Sequence, residues 1–212
     1  RFDPLDLSLT DPDDEHTLDT VLWLINGGGK TPVDPDLEAQ SSWELVLGGE
    51  LDLGELSDEL RDLRSGLVYT KRWMNNVIED MSRDEAYTYF IGNPGQGIAK
   101  DFPEATRDYD AFTLYFMKDF SRHWMMQASY TLSWLRGNYA GLFRPETDQL
   151  DPNINSDFDL KSLTVNREGD LPGDSRHQIK LFTAYEFVIN ECNLIQAGVA
   201  VRAASGGPTE YL

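Results

Sequence analysis

Cysteine and basic residues are scarce in this chain, and long apolar runs are missing. The single Cys192 cannot form an internal disulfide, and it excludes a multi-cysteine zinc site. The 18 Lys and Arg residues stand against 37 Asp and Glu residues, a net charge of −19. This balance argues against binding nucleic acid, or an anionic membrane surface, through basic patches. No run of about 18 apolar residues occurs, so the sequence predicts no transmembrane helix.

Recognisable processing and catalytic signals are also missing. The chain begins at Arg1 directly in acidic sequence, without a signal peptide, which predicts either a cytosolic protein or a mature chain or fragment. No serine or cysteine lies in a nucleophile motif. The turn "GNPGQG" at 92 to 97 does not lead from a strand into a helix, so we reject a phosphate-binding loop. We therefore predict that the protein is not an enzyme.

The sequence is rich in residues that alternate between apolar and polar. In "HWMMQASYTLSW", residues 123 to 134, every second residue from Trp124 to Trp134 is apolar and the residues between them are mostly polar. Such alternation predicts a β-strand with one apolar face. Helical periodicity is weak, and it is strongest in "LGELSDELRDL" at 53 to 63. The predicted strands cover residues 43 to 53, 65 to 78, 108 to 120, 123 to about 138, 178 to 189 and 194 to 204.

The connections between these strands alternate in length. Short turns at 121 to 123 and 190 to 193 join two of the strand pairs. Long polar segments, at 79 to 107 and 139 to 177, join the others, and the first 42 residues have the same character. Long loops without structure are uncommon in compact soluble domains. The pattern predicts strands whose long loops all lie at one end.

The spacing of tryptophans indicates a membrane. Trp124 and Trp134 are ten residues apart, roughly 33 Å along a strand, or roughly 24 Å of height at a tilt of about 45°. The apolar band of an outer-membrane barrel is about 25 Å tall and flanked by aromatic residues. We predict an all-β fold, an antiparallel up-and-down meander of about six long strands that forms part of a transmembrane β-barrel with long extracellular loops. The predicted interfacial anchors are Trp43, Trp73, Trp124 and Trp134, with Trp124 periplasmic and Trp134 at the outer side.

An alternative remains open at this point. Soluble antiparallel sandwiches also alternate, because one face of each sheet is buried in the core. The alternative is therefore a soluble, secreted β-sandwich binding module with calcium-organised loops. Strands near 12 residues favour the barrel, since soluble strands are most often about five or six residues long.

Four segments carry a family resemblance. They are "VIEDMSRDEAYTYFIGNPGQG" at 77 to 97, "DYDAFTLYFMKDFSRHWMMQASYTLSWLRGNYAGLF" at 108 to 143, "GDSRHQIKLFTAYEF" at 173 to 187 and "AGVAVRAASGGPTEYL" at 197 to 212. Together they resemble the C-terminal barrel half of TonB-dependent outer-membrane receptors, particularly the Oar-like group. The likeness covers most of residues 30 to 212. It implies a bacterial outer-membrane barrel of about 22 strands, closed by a plug, that imports a substrate.

The resemblance also implies partners and an organisation for the chain. The implied partners are outer-membrane lipid, the TonB complex and a substrate of unknown identity, and nucleic acid is not among them. The TonB complex would be contacted through a plug domain that is not recognisable in these residues. Residues 1 to 212 are then an internal piece of the barrel. Within it we predict a loop at 1 to 42, strands one and two at 43 to 78, strands three and four at 108 to 138, and strands five and six at 178 to 204.

One loop has the composition of a calcium site. The segment "DPNINSDFD" at 151 to 159 alternates oxygen-bearing side chains, and calcium takes six to eight oxygen ligands. The candidate ligands are Asp151, Asn153, Asn155, Asp157 and Asp159. Ser156 replaces the glycine of an EF-hand loop, and Ser162 stands in the position of its closing glutamate. A solvated acidic loop is the alternative, and no other cofactor is predicted.

Overall fold

The computed structural model describes residues 31 to 141 and 156 to 208. Nine strands occur in these residues: β1 (Ser41–Asp52), β2 (Leu63–Asn75), β3 (Glu79–Met81), β4 (Phe90–Gly92), β5 (Arg107–Ser121), β6 (Trp124–Gly137), β7 (Gly169–Asp170), β8 (His177–Asn190) and β9 (Asn193–Ala204). Short 3-10 turns lie at Leu53–Glu55, Asp58–Leu60, Gly97–Ala99 and Lys161–Thr164. In this part of the chain no helix has the length and apolar content to cross a membrane.

The six long strands form one antiparallel sheet in the order β1, β2, β5, β6, β8, β9. The short strand β7 pairs with the end of β6, and β3 and β4 form a separate hairpin. Long strands that are neighbours in the sheet also follow one another along the chain. The predicted all-β antiparallel meander of about six long strands is therefore confirmed. The sheet is not closed, and β1 and β9 are its two edges.

The two ends of the sheet differ. One end, called the turn end, carries the connections at 53 to 62, 122 to 123 and 191 to 192. The other, called the loop end, carries the long connections at 76 to 106 and 138 to 176. The long strands have between 12 and 15 residues, which corresponds to roughly 40 to 50 Å of extended chain.

Local chemistry fixes the two tightest turns. Arg122 and His123, between β5 and β6, have φ values of 50° and 70°. Two consecutive positive φ values are the signature of a type I′ turn, whose twist matches that of an antiparallel hairpin. Between β8 and β9, the Asn190 side-chain oxygen accepts hydrogen bonds from the Cys192 backbone N–H and the Asn193 side-chain amide, both at 3.0 Å. These turns help to set the strand register.

The connection between β1 and β2 uses 3-10 turns instead of a helix. The weak helical period at 53 to 63 corresponds to two such turns, and the Asp52 carboxylate caps the first by accepting the Gly54 N–H at 2.9 Å. The Arg122 guanidinium from the β5–β6 turn donates to the Asp58 carbonyl at 2.9 Å. Strands β1 and β2 pair in register along the whole length of β1.

The hydrophobic core lies in the long connections and not in the sheet. We call residues 31 to 40, 76 to 106, 138 to 141 and 156 to 176 the loop module. Its buried cluster consists of Val77, Met81, Phe90, Ala99, Phe102, Ala105, Tyr139 and Phe158, with Met74 packed against it. The Phe90 and Phe102 rings meet edge to face at 5.9 Å, and the Arg83 guanidinium lies 4.3 Å from the centre of the Phe90 ring. The long loops therefore fold around a core of their own.

A glycine in β2 makes room for a tyrosine from β5. Tyr115, Gly66 and Glu50 lie opposite one another in a row across β5, β2 and β1. A Cβ atom at Gly66 would lie 2.3 Å from the Tyr115 Cζ, far inside van der Waals contact. The Tyr115 ring therefore crosses β2, and its hydroxyl donates to Glu50 at 2.7 Å. This bond ties together two strands that are not neighbours in the sheet.

Replacing Gly66 should break this link. We expect Gly66→Ala to destabilise the fold by about 1 to 3 kcal/mol, because the ring must move and the hydrogen bond to a carboxylate is lost. The measurement is the urea dependence of unfolding, followed by tryptophan fluorescence. Gly49→Ala is the matched control, since a Cβ on Gly49 in β1 meets nothing within 4 Å. Equal stability of the two variants would contradict the role of Gly66.

Candidate functional site

One face of the sheet is apolar in all six long strands. The strand register brings the alternating apolar residues to the same side, which we call the apolar face. Its residues are Trp43, Leu45, Leu47, Leu51, Leu67, Tyr69, Trp73, Phe112, Leu114, Phe116, Trp124, Met126, Ala128, Tyr130, Leu132, Trp134, Ile179, Leu181, Tyr185, Phe187, Ile195, Ala197, Val199, Val201 and Ala203. Together they form a continuous apolar surface.

The apolar face is exposed. Leu47, Leu67 and Ile195 are 58%, 54% and 55% exposed. In a β-sandwich these residues would pack against a second sheet, but none of the buried hydrophobic residues of the described chain lies on this face. Tyr130, in the middle of β6, is 38% exposed. The soluble sandwich is therefore not favoured.

The four tryptophans named from the sequence lie at the two ends of the apolar face. Trp43 and Trp73 are directly opposite each other in β1 and β2, at the loop end. Trp134 pairs with Asp110 of β5. The β5 residue that pairs with Trp73 is two residues away from Asp110, so Trp134 lies near the level of Trp73. Trp124 lies at the turn end. The structure thus gathers three of them at one end and places the fourth at the other.

Further aromatic side chains accompany the tryptophans at both ends. At the loop end, Phe112 lies 4.9 Å from Tyr69 and 6.5 Å from Trp134, as measured between ring centres. At the turn end, Tyr185 pairs with Trp124 in the sheet, and its ring lies 4.7 Å from that of Phe187. Each end of the apolar face therefore has an aromatic belt.

Charged side chains lie at the loop end of the same face. The Asp110 carboxylate accepts hydrogen bonds from the Tyr69 hydroxyl at 2.6 Å and the Lys71 ammonium at 3.4 Å. Arg136 donates to Asp170 at 2.8 Å. These pairs lie between the apolar side chains and the loop module, where the apolar surface ends.

The opposite face, called the polar face, carries hydrogen-bonding side chains across the strands. Arg64 in β2 lies 3.5 Å from Glu50 in β1, the same carboxylate that accepts from Tyr115. Further along the sheet, the Thr113 and Thr131 hydroxyls of β5 and β6 are 3.0 Å apart. The polar face therefore offers hydrogen-bonding groups to water or to a polar ligand.

The loop module is held together by buried polar side chains as well as by its apolar cluster. The Asn93 amide nitrogen lies 3.0 Å from each of the carbonyl oxygens of Glu38, Asn76 and Val77, and its oxygen accepts the Glu38 N–H at 2.8 Å. Asn93 thereby joins three separate stretches of chain. Sequence reasoning missed this residue because it lies in a Gly-Pro turn whose pattern gives no signal of burial.

The calcium prediction falls partly outside the described residues. Asp151, Asn153 and Asn155 lie there, and only Asp157 and Asp159 are described. The buried Asp157 carboxylate pairs with Arg167 at 3.2 Å and accepts the Ala140 N–H at 3.1 Å. Across residues 31 to 141 and 156 to 208, no group of three or more His, Cys, Asp or Glu side chains is arranged to hold a metal ion. Calcium binding at 151 to 159 stays a prediction, and Asp157 has a structural role.

A buried carboxyl group lies in the centre of the loop module. Burial, together with the charges of Asp80, Asp159 and Asp157, raises the pKa of Glu79 to about 8. Glu79 faces Tyr139, whose pKa is also raised, mainly by burial. No sequence pattern marks this pair, because Glu79 lies in an acidic segment with the composition of an exposed loop.

The stability of the loop module should depend on the charge of Glu79. The pKa of Glu79 is higher in the folded chain than in the unfolded one, so the contribution of Glu79 to stability is greatest below pH 4.5 and falls as the pH rises to about 8. A tenfold change in proton affinity corresponds to about 1.4 kcal/mol. Ionisation of Glu79 therefore lowers the free energy of unfolding by a few kcal/mol. We expect Glu79→Gln to remove this dependence and to slow amide hydrogen exchange of the loop module above pH 8.

The control for this measurement is Asp101→Asn in the same module. The hydrogen bond from Arg83 holds the pKa of Asp101 well below its usual range, so its stabilisation is present at neutral pH and is lost in acid. The Asn variant should therefore exchange faster at neutral pH, opposite in sign to Glu79→Gln. Identical exchange of Glu79→Gln and the parent chain from pH 5 to 8 would show that Glu79 is ionised in the folded state.

Comparison with known proteins identifies a transporter as a relative of this chain. The TonB-dependent transporter Oar of Myxococcus xanthus is 54% identical to this chain over 183 residues, 86% of the chain. The chain spans 17% of the length of that protein. No family model matches the chain, and no solved structure matches it.

The degree of identity decides the relationship. At 54% identity over 183 residues, two sequences share a common ancestor and a common fold, and the antiparallel meander agrees with the resemblance seen in the sequence. The relative belongs to a class of transporters and not of enzymes, which is what the lack of a catalytic motif predicted. Over most of its length, this chain is therefore a homologue of one part of the TonB-dependent transporter Oar.

Proposed function

We propose that the chain is part of the β-barrel of an outer-membrane TonB-dependent transporter that binds a substrate and imports it. The observation that carries this proposal is the exposed apolar face with an aromatic belt at each end. An apolar surface spanning six strands is unfavourable in water and is covered in a lipid bilayer. The homology to a TonB-dependent transporter supports the same assignment.

The dimensions of the apolar face suit a bilayer. Trp124 and Trp134 are ten residues apart in β6, roughly 24 Å of height at the usual tilt of barrel strands, against an apolar band of about 25 Å. In this proposal Trp43, Trp73 and Trp134 are anchors at the outer interface, and Trp124 is an anchor at the periplasmic one. Lipid cannot accept hydrogen bonds, so the free edges of β1 and β9 would pair with other strands of a longer protein and close the barrel.

The remaining parts of the chain have separate roles in this proposal. The loop module lies outside the cell and contributes contacts to the substrate, whose identity stays open. The polar face lines the lumen. Coupling to the TonB complex would use a plug domain. Outer-membrane lipid is the partner of the apolar face.

Fractionation of the full-length protein tests the location. We expect it in the outer-membrane fraction, extracted only by detergent, and with an electrophoretic mobility that changes on heating, as intact barrels show. Recovery of the full-length protein as a soluble monomer without detergent would contradict the proposal.

Adjacent substitutions on β2 test the orientation of the sheet. Leu67 lies on the apolar face and Val68 on the polar face, near the middle of the strand. We expect Leu67→Arg to destabilise the full-length protein by about 2 to 4 kcal/mol, the cost of a cation facing lipid near the bilayer centre. Val68→Arg, the matched control, should cost much less because its guanidinium reaches the lumen. Denaturant unfolding in lipid vesicles measures both, and equal costs would argue against a lipid-facing apolar face.

A further inference from the structure

A cleft opens on the polar face at the loop end of the sheet. Its volume is about 320 Å³, and its lining comes from four neighbouring strands. The lining residues are Ser42, Arg72, Met74, Arg107, Tyr109 and Leu135. We call it the arginine cleft. Two of its six lining side chains carry guanidinium groups, although the net charge of the chain is −19.

Arg107 is held in the cleft without a carboxylate partner. Its Nη1 donates to the carbonyl of Tyr139 at 3.2 Å and to the carbonyl of Ala140. Among the described residues, no Asp or Glu side chain forms an ion pair with it. Carbonyl groups orient the guanidinium but do not neutralise it. Gly141 helps to leave space there, because a Cβ on it would lie 3.3 Å from Arg107 Nη1.

Arg72 supplies a second guanidinium, which pairs with Glu44 and stays exposed to solvent. Its Nε donates to Glu44 Oε2 at 2.7 Å, and the Arg72 side chain is still 54% exposed. In the described residues, the hydroxyl groups of Ser42 and Tyr109 have no hydrogen-bond partner. The cleft is thus lined by two guanidinium groups and two hydroxyl groups, and of its two positive charges only that of Arg72 has a carboxylate partner among the described residues.

We propose that the arginine cleft binds an anionic oxygen group, a carboxylate or a phosphate, on the ligand that the transporter carries. A guanidinium presents a planar set of N–H donors that matches the oxygens of a carboxylate or phosphate. The cleft lies at the loop end, so a ligand that enters past the loop module passes it. The inference rests on the proposed transport function, because it takes the polar face to line the lumen.

Calorimetric titration of the full-length protein in detergent tests the cleft. Inorganic phosphate is one probe, and tricarballylate, a small carboxylate, is the other, so that the two kinds of oxygen group are distinguished. We expect heat of binding with at least one probe, and Arg72→Gln should weaken that binding about tenfold, the equivalent of about 1.4 kcal/mol. Glu44→Gln should strengthen it, because Arg72 is then released from its partner.

Arg64→Gln is the matched control for Arg72→Gln. Arg64 lies on the same face of the same strand and pairs with a glutamate of β1, Glu50, but it is outside the cleft. Its loss should leave anion binding unchanged. Arg107→Lys adds a variant that keeps the positive charge but loses the planar donor set, and it should bind more weakly than the parent protein.

The outcomes separate this inference from the proposed function. An outer-membrane, heat-modifiable protein that gives no heat with either probe would overturn the cleft assignment alone. Equal effects of Arg72→Gln and Arg64→Gln, or weaker binding in Glu44→Gln, would overturn it as well. A protein that binds the probes through Arg72 but is recovered as a soluble monomer would instead overturn the transport function.

Discussion

The uniform register of the six long strands is the constraint on which the rest of the structure depends. Side chains alternate between faces, so a slip of one residue in any strand pair would move its apolar residues to the polar face. The irregularities in the ladders of the long strands, at Lys118 to Ser121 and Val188 to Asn190, are confined to the turn end. Between them and the loop end the strands run unbroken. The apolar residues of neighbouring strands stay on one face for this reason.

This separation divides the molecule into two parts that are stabilised differently. In a sandwich, the apolar face of a sheet forms the core, whereas here that face is exposed and the buried apolar cluster lies in the loop module. The sheet is held by its backbone ladders and by cross-strand links such as Tyr115 to Glu50. The loop module is held by aromatic packing and by buried side chains such as Asn93. A lipid environment would cover what the protein leaves exposed.

The sequence was most informative where structure depends on local alternation. The predicted strands at 43 to 53 and 178 to 189 correspond to Ser41–Asp52 and His177–Asn190. The loop module could not be predicted in this way. Its contacts join residues far apart in the chain, such as Asn93 and Glu38, which are separated by 55 positions, and no periodicity marks such residues. Arg107 was missed for the same reason, because its position in the cleft depends on the fold of the following loop.

The exceptions to alternation are as informative as the pattern itself. Along β5, the apolar face reads Asp108, Asp110, Phe112, Leu114, Phe116 and Lys118. The charged residues fall at the two ends and the apolar ones between them. Asp110 pairs with Trp134, and the Lys118 ammonium lies 4.7 Å from the Trp124 ring while it bonds to carbonyls at the turn end. Lys118 is buried, and oxygens of the β5–β6 turn, not water, satisfy its ammonium at this edge of the apolar face. Tryptophans and charged residues therefore lie together at the same two levels of β5 and β6, as the proposed position in a bilayer requires.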